Sequence, residues 1–170
     1  PKEPSTKQEI AVKAINYKKF LKNILSLFLT LLVMSNLMDF IRKPTVPENI
    51  NATALYDLQG NPFFLPQLAQ DKPTIVYFWG TWCGYCRYTS PTINTLAKEG
   101  YPVVSIALRS GSTQDVADYL KEHQYKFTTV NDPHGALANQ WGVNVTPTII
   151  LLHQGKMDLA TTGWTSYWGL

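Results

Sequence analysis

The stretch Thr74-Ile75-Val76-Tyr77-Phe78-Trp79-Gly80-Thr81-Trp82-Cys83-Gly84-Tyr85-Cys86 decides how the rest of the chain is read. Its first six residues form a short apolar, β-branched and aromatic run, the pattern of a strand buried on both faces. Two cysteines three apart follow directly, and the next residues read as a helix reaching about Glu99. These are the only two cysteines of 170 residues, too few for a disulfide framework. An oxidising compartment is compatible with this count and not required by it.

A cysteine at the point where a strand hands over to a helix faces unpaired backbone N–H groups and the positive end of the helix dipole. Both favour a thiolate, so the Cys83 thiol is expected to ionise below the pH of a free one. Cys86 is on the same helix face, close enough to close a bridge and deeper in the helix. Cys83 then reads as the attacking nucleophile and Cys86 as the resolving thiol. Three blander readings compete. A structural disulfide across a two-residue gap removes little chain entropy. A zinc site lacks a second cysteine pair, and His123, His134 and His153 have no ligand spacing to the first. The third is two unrelated buried cysteines.

Outward from this stretch, strand and helix signals alternate. Ala54–Leu58 and Pro62–Leu65 flank a turn at Gln59-Gly60-Asn61. Val103–Leu108 reads as a second buried strand, and Ser112 with Asp115 resembles a capping box opening a helix to about His123. Phe127–Val130 reads as a strand and Ala136–Trp141 as a short helix. Thr148–His153 and Met157–Thr162 read as a closing hairpin. This alternation predicts an α/β domain with a central, partly parallel sheet.

The first fifty residues differ. Phe20 to Ile41 is a 22-residue, largely apolar stretch, long enough to cross a bilayer. Lys2, Lys7, Lys13, Lys18, Lys19 and Lys22 precede its apolar core, and Arg42 and Lys43 follow it. That bias predicts residues 1–19 on the cytoplasmic side and the larger part outside. A cleaved signal peptide and a buried core helix are the rival readings. Residues 42–51, with Pro44 and Pro47, read as a linker, and the folded domain is expected over 52–170. Length allows one ordinary domain plus this appendage. A net charge of +3, without a basic stripe interleaved with aromatics, argues against a nucleic-acid partner.

Phe78 to Cys86 resembles the active-site signature of thioredoxins, and Val145-Thr146-Pro147-Thr148 resembles their cis-proline loop. With the anchor and the segment Gly163–Gly169, the chain is most similar to the membrane-tethered thioredoxin-like proteins of bacterial suppressor-of-copper-sensitivity systems. The resemblance implies a thioredoxin fold, a central mixed sheet flanked by helices, carrying an N-terminal transmembrane helix. It implies a periplasmic catalytic domain on the bacterial inner membrane, acting on protein thiols and disulfides in redox balance under copper stress. It also suggests a transmembrane thiol reductant transporter as electron donor, and neither a cofactor nor a bound metal. Cys83 and Cys86 would react, Gly84 and Tyr85 complete the motif, and Trp82, Thr146 and Pro147 bind substrate.

The chain departs from that pattern. Thioredoxins carry a buried Asp where Tyr77 stands, and cytochrome-maturation relatives often a Glu where Thr89 stands. No acid is thus evident to take the Cys86 proton, and water, Glu99 and Asp132 are the candidates. Gly84-Tyr85 with Thr146 resembles the periplasmic disulfide isomerase. The family continues into a final helix where this chain stops at Leu170, so that helix is expected to be missing. Two other functions stay open: copper binding or delivery through the same thiolates, and disulfide isomerisation.

Overall fold

The computed structural model describes residues 6–41, 43–50, 52–68 and 72–163. The chain divides into two units, Pro1–Ile41 and Arg42–Leu170. In the first, helix α1 spans Thr6–Ile41. Its segment Tyr17–Met38, 22 residues with a mean hydropathy of 1.6, is a candidate transmembrane span and fits a single-pass anchor. Side chains from Tyr17 to Met38 are exposed all round, as lipid contact requires and a helix packed in a protein core would not show.

The second unit is built on a five-stranded sheet of order β5-β4-β3-β6-β7. Its strands are β3 (Thr74–Trp79), β4 (Val103–Leu108), β5 (Thr128–Asp132), β6 (Thr148–His153) and β7 (Lys156–Thr162). β3, β4 and β5 run parallel; β6 is antiparallel to β3, and β7 to β6. A two-stranded hairpin of β1 (Leu55–Tyr56) and β2 (Pro62–Phe63) precedes it. Every residue of β3 and β4 is buried, which explains why both read as continuous rather than alternating apolar runs.

The pleat sorts these strands into two cores. Ile75, Tyr77, Trp79, Val103 and Ala107 face α3 (Cys86–Lys98) and α4 (Thr113–Glu122), meeting Ile93, Leu96, Val116 and Leu120. Val76, Phe78, Val104, Ile106 and Leu108 face the other way, toward Ala138 of α5 (Ala136–Gln140), Trp141, Leu55 and Leu65. The strand expected over Pro62–Leu65 ends at Phe63, and Leu65 instead opens the one-turn helix α2 (Leu65–Leu68), with its side chain buried in this core. Residues 43–50 contribute as well: Ile50 is buried, and the Thr45 N–H donates to the Trp141 carbonyl at 2.8 Å. The expected final segment from Trp164 to Gly169 lies outside the described residues.

Candidate active site

β3 ends at Trp79, and the chain turns through Gly80–Tyr85 before α3 starts at Cys86. The helix therefore opens three residues later than the expected Cys83. Bonds to the end of β4 fix the turn before it. The Thr81 N–H donates to the Ser110 hydroxyl at 3.0 Å, and the Trp82 indole N–H donates to the Leu108 carbonyl at 3.0 Å. Ser110 in turn donates to the same carbonyl at 3.1 Å. The end of β4 thus holds residues 81 and 82, just ahead of the two cysteines.

Cys83 still sits at the helix entrance. Tyr85 occupies the capping position without a side-chain cap. The Cys83 sulfur does this work instead, accepting the Cys86 N–H at 3.2 Å. A sulfur that receives a backbone N–H at a helix start is stabilised as thiolate when the bridge opens. Cys83 and Cys86 form a disulfide with Cα atoms 5.3 Å apart. Cys83 is 5% exposed and Cys86 1%, so a partner reaches the first sulfur before the second.

The Thr146–Pro147 peptide is cis, as the resemblance implies. Phe78 pairs with Thr148 across antiparallel strands, so Pro147 lies beyond the pairing at the end of β3, beside the dithiol turn. The proline loop is not wholly unpaired: the Pro147 carbonyl accepts the Gly163 N–H at 2.8 Å. Pro147 is buried and Thr146 half-buried. Around the turn the surface is aromatic, with Trp82 59%, Tyr85 67% and Tyr88 72% exposed. Trp82 is therefore a surface ring and not a core one. Gly84, Tyr85, Arg87 and Tyr88 line a groove of about 390 Å³.

Of the two acids, Glu99 lies far from the dithiol and Asp132 is engaged by another element. Glu99 closes α3 thirteen residues beyond Cys86, about 20 Å along the axis at 1.5 Å per residue. Asp132 is buried and accepts the Ala138 N–H at 2.9 Å, holding the start of α5. At the positions where an acid was sought, Thr89 donates to the Tyr85 carbonyl at 3.3 Å, and the buried Tyr77 hydroxyl meets Ser90 at 2.9 Å. Burial pushes the Tyr77 phenol well above the ordinary tyrosine range.

Sequence reasoning missed Gly80, Ser110 and Ser90. Gly80 was legible in part, since a small residue two before a tryptophan leaves room for the ring. Ser110 and Ser90 act across 29 and 13 residues and carry no local signal.

A family model for the AhpC/TSA family matches residues 46–160. A thioredoxin-like protein of Haemophilus influenzae is 67% identical over 153 residues, covering 90% of this chain and 92% of that protein. The thiol:disulfide interchange protein DsbE of Pseudomonas aeruginosa is 28% identical over 81 residues, 48% of this chain and 45% of its own length. Among solved structures, a secreted Mycobacterium tuberculosis disulfide oxidoreductase homologous to Escherichia coli DsbE superposes with a TM-score of 0.59. That match has 22% identity and covers 71% of this chain and 92% of the other, a likeness of fold.

Proposed function

Because the chain belongs to the AhpC/TSA family and is a thioredoxin-like thiol–disulfide oxidoreductase, we propose that Cys83 and Cys86 are its reacting pair. The observation that carries this is the Cys83–Cys86 bridge at the entrance of α3, with the Cys86 N–H directed at the Cys83 sulfur.

In the reducing direction the Cys83 thiolate attacks a substrate disulfide and forms a mixed disulfide, releasing one substrate sulfur as thiolate. Cys86 then loses its proton and attacks Cys83, breaking the bond to substrate and closing the bridge. Two electrons pass to the substrate. The oxidising direction reverses these steps. Gly84 and Tyr85 complete the motif and set access to it. Trp82 offers a platform, and Thr146 and Pro147 border the path of an extended substrate segment, whose backbone Thr146 can bond.

The segment 20–41 anchors the protein in a bacterial inner membrane, with residues 1–19 cytoplasmic and the domain from 52 onward in the periplasm. Its lysine bias supports that orientation. A transmembrane thiol reductant transporter would supply electrons, and redox balance under copper stress is the setting suggested by the sequence resemblance.

The test is capture. Cys86→Ala protein in the cell envelope should accumulate mixed disulfides through Cys83 that a reductant releases, and the double Cys→Ala variant should hold none. No capture by Cys86→Ala would sink the proposal. Direction follows from the potential: a value near about −270 mV suits a reductase and one near about −120 mV an oxidase. Stoichiometric Cu(I) binding by the reduced protein, without disulfide exchange, would favour the copper-carrier alternative. Restoration of scrambled disulfides would favour an isomerase.

A further inference from the structure

Helix α3 turns Cys86, Thr89, Ser90 and Ile93 into the protein. Its entrance also carries side chains that the core does not use. Tyr85 and Tyr88, three residues apart and so neighbours on the helix surface, are both exposed. With Gly84 and Arg87 they line the groove beside the dithiol. Gly84 stands between the two cysteines, and no atom lies within 4 Å of where its Cβ would be, so the groove is open at the motif itself. Arg87 is the one charged residue lining this groove. Its side chain makes no ion pair or hydrogen bond among the described residues. Its position also runs against the helix dipole: a cation in the first turn meets the positive end, and no acid stands in that turn to offset it. A cation and two exposed rings, kept where the fold does not call for them, mark a recognition surface. Tyrosine and arginine are also the residues in which binding surfaces are enriched.

We propose that this groove selects the substrate, taking a polypeptide segment that carries a carboxylate and an aromatic ring close to its disulfide-bonded cysteine. The inference rests on the oxidoreductase reading above and deepens it. The carboxylate pairs with the Arg87 guanidinium, whose planar fork matches it. The ring packs against Tyr85 and Tyr88. A lysine in the same place would meet like charge from Arg87 and from the positive end of α3. With the segment seated, the Cys83 thiolate attacks the substrate sulfur. One S–S bond forms between Cys83 and the substrate, the substrate's own S–S bond breaks, and the leaving sulfur departs as a thiolate that takes a proton from solvent. Arg87 and Tyr88 set specificity and leave the reacting atoms to the cysteines. Because Arg87 is exposed, its charge acts largely by steering the encounter, and its effect weakens as salt screens it.

The experiment mixes the reduced, full-length protein in detergent with short peptides whose cysteine is joined to thiopyridine through a disulfide. Release of the neutral thiopyridone reports attack by Cys83. In one series the residues on both sides of the cysteine are Glu, Gln or Lys. In the other, the next residues outward are Phe or Gly. The ratio of two peptides' rates on one protein cancels any change in the nucleophile itself. The wild-type protein should prefer Glu over Lys about fivefold at low salt, the scale of an exposed ion pair. That ratio should fall toward one in about 1 M salt, where screening acts within about 3 Å. Arg87→Gln should bring the ratio near one and Arg87→Glu should reverse it. Lys98→Glu, a like change of charge in the last turn of α3, should leave it in place. Tyr88→Ala should lower the preference for Phe over Gly, and Tyr88→Phe should keep it. A wild-type ratio near one at low salt, a preference for Lys, a Glu preference that survives Arg87→Glu or is lost equally in Lys98→Glu, or a ring preference unmoved by Tyr88→Ala would overturn the proposal. Failure of the wild-type protein to release thiopyridone from any peptide would instead count against the oxidoreductase reading.

Discussion

Trp82 shows how a single residue's seat is built. Its ring lies over Gly80, and its indole N–H is tied to the end of β4. A Cβ at position 80 would fall 2.7 Å from Trp82 ring atoms and 3.2 Å from the Leu108 carbonyl oxygen. Gly80→Ala should therefore unseat the ring and cost about 1–3 kcal/mol, as overpacking does. Chemical denaturation gives the cost, and faster exchange of the Trp82 indole hydrogen reports the lost bond; unchanged exchange would refute this. Tyr77 carries a second residue-scale effect. Its phenol ionises at higher pH in the folded chain than in the unfolded one, chiefly through burial. Its contribution is complete below the unfolded value of about pH 10 and is lost as pH rises beyond it, by about 1.4 kcal/mol per pH unit. Urea melts of the oxidised protein above that pH should show a shallower decline for Tyr77→Phe. Tyr119 and Tyr125, also raised by burial, leave part of the slope in place.

Among the elements, α4 shows its origin most plainly. Ser112 accepts the Asp115 N–H at 3.2 Å, and Asp115 accepts the Ser112 N–H at 2.7 Å, a complete capping box. Val116 and Leu120 then hold the helix on the sheet. Ser112→Ala should lower stability by about 1 kcal/mol, read as a lower midpoint in urea. The Asp115 carboxyl is held below the usual carboxylate range mainly by its bond from the Ser112 hydroxyl. Its contribution is present above the unfolded carboxylate value and fades as pH falls through the lower folded one. The acid limb of the stability curve should therefore flatten in Ser112→Ala; an unchanged limb would contradict the assignment. Helix α3 starts differently: with a sulfur in the capping role, its first turn is tied to the redox state of Cys83. Its interior Pro91 leaves the Arg87 carbonyl without a helical N–H, and the helix continues through it.

For the whole molecule, the division at Ile41 separates a helix exposed along its candidate span from a domain with its own two cores. A chain beginning at Arg42 should stay soluble and exchange disulfides at the full-length rate in detergent-free buffer. The full chain should sediment with membranes and resist carbonate extraction; release by carbonate would argue against the anchor. The sheet order places the end of β3 beside the start of β6, and so brings the dithiol turn and the Thr146–Pro147 loop together from segments about sixty residues apart.

The elements that the sequence determined alone are those whose signal is local. β3 and β4 were legible because strands buried on both faces must be apolar at every position. The α4 cap was legible because its two partners are three residues apart, and the candidate span because lipid contact demands length and apolarity together. The Cys83–Cys86 pair belongs to the same class, since three-residue spacing brings two sulfurs within bonding reach. The tertiary structure decided what depends on distant partners. The seat of the turn before the cysteines depends on Ser110 and Leu108, which bond Thr81 and Trp82 from the end of β4. The Tyr77 side chain, which reads as a lost acid in one dimension, proved to be half of a buried hydroxyl pair because folding brings Ser90 over β3. A local pattern records the surroundings that a residue shares with its neighbours in the chain; a hydrogen bond across the core is recorded only when the chain has folded.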